Sequence, residues 1–130
     1  MSRYKAEITA YYPSTSCGGF KDALGNKLDP DKNTCAAPKN IPFNTQIKVS
    51  GTNTKYDNKT YTVTDRGSAI VVDSDGVYHI DLLMHTKDEC MQFGRRKGYI
   101  DVLDGKDEPK TVNKISSALK AFGNIKNKSK

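Results

Sequence analysis

Short runs in which apolar, often β-branched or aromatic, residues alternate with polar ones recur over most of the chain. A period of two residues is typical of half-buried β-strands, and Pro, Gly and Asp residues between the runs favour turns. The pattern predicts strands at Ile8–Tyr12, Thr45–Ser50, Thr60–Thr64, Tyr78–Leu83 and Lys97–Leu103. Residues 13–40 are polar, carry several Gly and Pro residues, and are predicted to be a loop. A loop of this length in a compact domain is usually functional or stapled.

Two segments have helical patterns instead. Thr86, with Glu89 three residues later, forms a capping box that opens a short helix through Phe93, and Gly94 suits its C-terminal cap. Further along, apolar residues recur at helical spacing opposite Asn and Lys residues, which predicts a basic amphipathic helix. These residues are Val112, Ile115, Leu119, Phe122 and Ile125.

Many short strands with no alternation of strand and helix predict a mainly β protein with one or two short helices. A small β-barrel is the expected arrangement, because closing a sheet removes its exposed edges. We expect residues 1–104 to form this body and residues 105–130 to form a basic tail.

The charge distribution agrees with that division. The net charge of the chain is +6, of which residues 105–130 carry +5, so the body is nearly neutral. This argues against a nucleic-acid groove in the body. The tail helix is expected either to cap the barrel or dock on a protein partner, or to lie on a membrane surface. No apolar run is long enough for a transmembrane helix, and residues 1–7 have no apolar signal core.

The chain has three cysteines, and an odd number cannot all be paired in disulfides. Cys17 and Cys35 flank a polar, Gly-containing stretch within residues 13–40 and are candidates for a disulfide, whereas Cys90 is expected to be a buried, inert thiol. No CxxC spacing or HExxH motif is present, so we expect neither a metal site nor a cofactor.

The remaining candidates for chemistry are carboxylates in β context. Asp81 lies inside an apolar strand, on the same face as His79 and Leu83. If that face lines a cleft, burial would raise the pKa of Asp81 as a general acid requires; the alternative is that the face is simply solvated. Asp65 ends another strand, in a sequence that also suits an ordinary turn.

Five segments, taken in order, resemble the 3D (three-aspartate) domain of cell-wall-active proteins of Gram-positive bacteria and their phages. The resemblance runs from Ile8 to Leu103. The segments are Ile8–Pro13, Ile41–Thr45, Thr64–Ile70, His79–Leu82 and Phe93–Arg96. The same signals resemble the rare-lipoprotein-A, membrane-bound lytic transglycosylase A and expansin groups. The fold that this resemblance implies is a six-stranded double-psi β-barrel.

The resemblance implies action on peptidoglycan glycan strands. Asp81 matches the catalytic acid/base of the transglycosylase relatives, and Asp65 matches a supporting aspartate. Thr9, Tyr11, Thr64, Arg66 and His79 are expected to bind substrate, although Thr9, Tyr11, Thr64 and Arg66 equally suit structural roles in strands. The first aspartate of the family pattern is replaced here by Ala37.

Three functions therefore remain open. The first is a lytic transglycosylase-like enzyme, expected as a phage or prophage lysin or a tail-associated lysin that acts at the cell wall or in a virion. The second is a non-catalytic module that binds or loosens the wall. The third is a structural phage tail component that docks on a protein partner through its C-terminal helix.

Overall fold

The computed structural model describes residues 2–103, which contain six β-strands and one α-helix. The strands are β1 (Ser2–Tyr11), β2 (Thr34–Ala36), β3 (Gln46–Ser50), β4 (Thr60–Asp65), β5 (Tyr78–Leu83) and β6 (Arg96–Leu103); the helix is α1 (Lys87–Phe93). Two short 3₁₀ turns, Thr15–Cys17 and Pro30–Lys32, interrupt the segment between β1 and β2.

The six described strands form one closed sheet. Its hydrogen-bonded order is β1-β5-β2-β4-β3-β6, and β6 pairs with β1 to close the ring. The β1–β5 and β2–β4 pairs are parallel, and the other pairs are antiparallel. The prediction of a mainly β fold with a short helix is therefore confirmed, whereas the double-psi path of the chain stays a prediction.

The core lies inside this ring and follows the alternation of the strands. Ile47 and Val49 of β3 are fully buried between partly exposed neighbours, as is Ile80 of β5. Val63 of β4 is fully buried as well. Buried β-branched residues at every second position suit a pleated sheet with one face in a core. Outside the ring, Tyr11, Leu28 and Leu83 form a second, smaller cluster.

The loop prediction for residues 13–40 is wrong at β2, where Thr34–Ala36 forms a central strand between β4 and β5. Three residues are too few to show an alternating pattern. The strand exists because its neighbours on both sides satisfy its backbone hydrogen bonds. The first predicted strand, Ile8–Tyr12, is also too short: β1 begins at Ser2, because its polar first residues pair with β6.

The candidate disulfide between Cys17 and Cys35 is not formed. All three cysteines are free thiols: Cys35 is fully buried on β2, and Cys17 is exposed in a 3₁₀ turn. Cys90 is only partly buried, on α1, where it packs against the core.

The predicted helix is confirmed as α1. The Thr86 hydroxyl accepts a hydrogen bond of 3.1 Å from the Glu89 amide, and Gly94 with a φ of 67° ends the helix. The Glu89 side chain accepts from the amide of His85 at 2.9 Å, one residue before the position of an ordinary capping box. The second predicted helix and the tail lie outside the described residues, and the boundary at residue 104 stays a prediction. Among residues 2–103, no helix is long and apolar enough to cross a membrane.

Candidate active site

A row of four residues crosses the outer face of the sheet and contains both candidate aspartates. Thr9 on β1 pairs with Asp81 on β5, Asp81 pairs with Ala36 on β2, and Ala36 pairs with Asp65 on β4. Paired residues on adjacent strands share one face of a sheet. We call Thr9, Asp81, Ala36 and Asp65 the site row.

Asp65 enters this row through a β-bulge. Val63 of β4 pairs with Cys35, yet the next residue of β2, Ala36, pairs with Asp65, so Thr64 is an extra residue on β4. In a regular strand Asp65 would share the inward face of Val63. The extra residue turns it to the face of Asp81 instead, as bulges beside functional sites often do.

The environment of Asp81 favours its neutral, protonated form. Burial raises the pKa of Asp81 to about 6, and the negative charge of Asp65 adds to this effect. The Thr9 hydroxyl opposes it by donating a hydrogen bond of 2.9 Å to Oδ1, and the positive charge of Arg95 opposes it as well. A carboxyl group that titrates near neutral pH can both release and accept a proton during a reaction.

Asp65 is held by two donors. Its Oδ1 accepts a hydrogen bond of 2.9 Å from the Arg66 amide, and its Oδ2 accepts one of 3.3 Å from the Tyr11 hydroxyl. Burial and the charge of Asp65 raise the pKa of Tyr11 above its ordinary value. The phenol therefore stays a neutral donor, which suits a role in orienting Asp65.

Ala36 separates the two aspartates in the site row. Two strand spacings place their Cα atoms roughly 10 Å apart. This agrees with the order of the causes behind the raised pKa of Asp81, in which burial is the largest and the charge of Asp65 is a smaller one. Among the described residues, the row thus holds one carboxyl group poised near neutrality and a second at a distance.

Arg66, a predicted substrate-binding residue, is engaged with the backbone. Its guanidinium donates to the carbonyls of Ile41 at 2.8 Å and Ala37 at 3.2 Å, and it stacks 4.0 Å from the ring centre of Phe43. These contacts tie the segment after β2 to the end of β4. The guanidinium of Arg66, the residue next to Asp65, is therefore held against the backbone.

Thr64 and His79 lie near the site row but are not part of it. Thr64 is buried, and its hydroxyl has no hydrogen-bond partner among the described residues. His79 lies two residues from Asp81 on the same face, with Nε2 3.3 Å from Asp73 and 3.7 Å from Glu7. The structure therefore groups Thr9 and Tyr11 with the two aspartates, and places His79 at the edge of that group.

Two residues of the site were missed by the sequence analysis. Ala36 is the small side chain between the aspartates, and Cys35 lies beside them on the inner face, where burial and both carboxylates raise the pKa of its thiol. A raised pKa keeps the thiol protonated and unreactive. Neither residue carries a signal in the sequence, because each role depends on the short strand β2.

Ala37, where the family pattern has its first aspartate, is fully buried in the core cluster. Its amide donates to the Asp65 carbonyl at 3.3 Å, and its carbonyl accepts from Arg66. It therefore supports Asp65 through the backbone alone. Among residues 2–103, no group of three His, Cys, Asp or Glu side chains is arranged to hold a metal ion.

Comparison with protein families matches residues 33–104 to the family described as 3D domain. The match covers more than half of the chain and includes Asp65, Asp81 and the α1 segment. It begins after β1, so Thr9 and Tyr11 lie outside it. No curated protein matches the chain.

Proposed function

Because this chain belongs to the 3D domain family, we propose that it cleaves the glycan strands of peptidoglycan in the manner of a lytic transglycosylase. Proteins of this family are associated with the cell wall and with peptidoglycan lysis. The observation that supports the cleavage chemistry is the bulge at Thr64, which brings Asp65 onto the face of the half-buried Asp81. The double-psi path of the six strands is part of the same proposal.

In the proposed reaction, Asp81 acts first as a general acid. Its carboxyl proton passes to the oxygen that links N-acetylmuramic acid to N-acetylglucosamine, and the bond between that oxygen and C1 of the muramic acid breaks. The negative charge of Asp65, on the same face of the sheet, stabilises the positive charge that develops at C1.

Asp81 then acts as a general base. Its carboxylate removes the proton of the 6-hydroxyl of the same sugar, whose oxygen bonds to C1. The product is a 1,6-anhydromuramoyl end, Asp81 is again protonated, and no water is consumed. One titrating carboxyl group is sufficient for both steps, which fits a site in which Asp81 has a raised pKa and Asp65 lies two strands away.

Thr9 and Tyr11, which the sequence predicts to bind substrate, act on the two aspartates in this proposal. Thr9 tunes Asp81 through its hydrogen bond, and Tyr11 orients Asp65. Since the substrate lies outside the cytoplasm, we also propose that the protein acts at the cell wall or in a virion, as a phage or prophage lysin.

The second candidate function is a module that binds or loosens the wall without cleaving it. The buried Ala37 favours it, because this chain lacks a carboxylate at the position where the family pattern has its first aspartate. A mechanism that needs three acids would fail here.

The experiment that tests the proposal is mass spectrometry of purified peptidoglycan after digestion by the full chain and by Asp81→Asn. The matched control is Asp88→Asn, which removes an exposed carboxylate on α1. We expect anhydromuramoyl ends from the wild type and from Asp88→Asn, and none from a folded Asp81→Asn. Equal cleavage by Asp81→Asn would overturn the assignment of the acid.

The other outcomes separate the alternatives. Reducing muramic acid ends would indicate hydrolysis, with Asp65 activating a water molecule as the second carboxylate. If no product forms but the protein sediments with the wall material, the binding module is the better description.

A further inference from the structure

A cavity lies on the same outer face as the site row, towards the N-terminal end of β1. Its volume is about 610 Å³, and it is bounded by β1, β6 and the turn before β5. The residues that line it with charged or aromatic side chains are Lys5, Glu7, Asp73, Asp75, Lys97 and Tyr99. We call it the mixed-charge cavity.

The register of the strands connects this cavity to Asp81. Glu7 pairs with His79 and Thr9 pairs with Asp81, so the cavity begins two residues, or roughly 7 Å, from the proposed acid. His79 lies between them and contacts both Glu7 and Asp73 of the cavity. At its far end, Lys5 pairs with Tyr99, roughly 13 Å along β1 from Thr9.

The charges of the cavity are of both signs. Glu7 and Asp73 are half-buried, and Asp75 is exposed beside them. Lys97 pairs with Glu7 across the β1–β6 ladder, and Lys5 lies two residues from Glu7 on the same face. Such a cavity complements a zwitterionic ligand better than a neutral saccharide, for which stacking on aromatic faces is more usual.

We propose that the mixed-charge cavity binds the stem peptide carried by the muramic acid unit that occupies the site at Asp81. This inference rests on the proposed function. The stem peptide is attached to the same sugar whose C1 would react, and it carries carboxylates and the side-chain ammonium of its third, diamino residue. The ammonium binds at Glu7, Asp73 and Asp75, and the carboxylates bind at Lys5 and Lys97.

The distances suit this placement. Three extended residues span roughly 10 Å, which lies between the 7 Å and 13 Å that separate Thr9 from the two ends of the cavity along β1. The third residue of the peptide would therefore reach the carboxylates while the sugar remains beside Asp81.

The probe for this proposal is a synthetic tripeptide, L-Ala-γ-D-Glu-L-Lys, titrated into the isotope-labelled full chain and followed by amide NMR. We expect shifts at Glu7, at residues 73–77 and at residues 97–99. Asp73→Asn should weaken binding about fivefold, the effect of losing one partly exposed ion pair. The asparagine retains the side-chain oxygen that accepts hydrogen bonds from the amides of Asp75 and Val77, so the turn is preserved.

Two controls make the test specific. Asp88→Asn removes a carboxylate of α1 and should bind as the wild type does. A tripeptide with an acetylated lysine side chain should bind the wild type about fivefold more weakly, yet should lose nothing further in Asp73→Asn, because the ammonium and Asp73 would be partners. Equal affinity of the wild type and Asp73→Asn for the unmodified tripeptide, or no shifts at these amides, would overturn the proposal.

Cleavage of glycan stripped of its peptides tests the proposed function separately. If stripped glycan is cleaved and the tripeptide does not bind, the inference about the cavity fails while the enzymatic function stands. If the tripeptide binds and no glycan is cleaved, the cavity assignment stands and the enzymatic function fails.

Discussion

The hydroxyl of Thr9 donates a hydrogen bond of 2.9 Å to Oδ1 of Asp81, its direct neighbour on the adjacent parallel strand. This contact works against the burial that raises the pKa of Asp81, because a donor stabilises the charged carboxylate. The two largest effects on the pKa of the proposed acid therefore oppose each other and can be changed separately. One is the burial of the Asp81 side chain, and the other is the hydrogen bond from a single hydroxyl group.

Replacing Thr9 by Val tests that balance. The shape and strand propensity are kept, but the donor is lost, so the pKa of Asp81 should rise above its value of about 6. A general acid must be protonated, and we expect the alkaline limb of the cleavage rate to move upward by up to about one pH unit. The measurement is the pH profile of glycan cleavage by both proteins. An unchanged limb with a lower rate would instead favour direct contact of Thr9 with substrate.

Asp81→Asn should make the protein more stable at neutral pH while abolishing cleavage. Burial raises the pKa of Asp81 from 3.8 to about 6 in the folded state, so the charged form is the unfavourable one. Its destabilising effect is absent below pH about 4, grows as the pH rises to about 6, and is complete above that. Removing the charge should therefore raise the free energy of unfolding by about 3 kcal/mol at pH about 7.5 and have little effect at pH about 4.

Denaturant unfolding of both proteins at the two pH values gives this difference directly. Asp88→Asn is the control, since its carboxylate is exposed on α1. A variant that is less stable than the wild type at both pH values would show that the Asp81 carboxylate supports the fold instead of straining it.

The sequence predicts those parts of this structure that depend on local pattern. β3, β4 and β5 show alternation over five or six residues, and α1 has a cap at each end, so their positions follow from local rules. β2 could not be predicted in this way, because it is a three-residue strand that exists only between two others. The site row depends on it, since Ala36 links Asp81 to Asp65.

The side-chain roles show the same division. Asp81 could be recognised as an acid in an apolar strand, and the resemblance drew attention to Asp65. The face of the sheet on which Asp65 lies could not be derived from the sequence. Regular alternation would place Asp65 on the inner face with Val63, and only the extra residue, Thr64, places it on the outer face. Likewise, the backbone partners of Arg66 lie 25 and 29 residues earlier in the chain, and no local pattern indicates them.

The free state of the cysteines can be checked by their reaction with a thiol reagent. We expect Cys17 to react at once, because it is exposed, and Cys90 to react slowly, because partial burial raises its pKa to about 11. Cys35 should react only after unfolding, since it is fully buried. Cys17→Ser should remove the fast phase alone. Finding one reactive thiol in the unfolded, unreduced protein would instead reveal a disulfide.

Arg66→Met separates a positioning role from a substrate-binding one. Methionine can still pack on Phe43, but the hydrogen bonds to the carbonyls of Ile41 and Ala37 are lost. We expect the free energy of unfolding to fall by about 2 kcal/mol, because hydrogen bonds from a charged donor to partly buried carbonyls are broken. Cleavage measured well below the melting temperature should fall less than about tenfold, which corresponds to 1.4 kcal/mol in the transition state. If stability is unchanged and cleavage is abolished, Arg66 binds substrate, as its place in the resembling segment predicts.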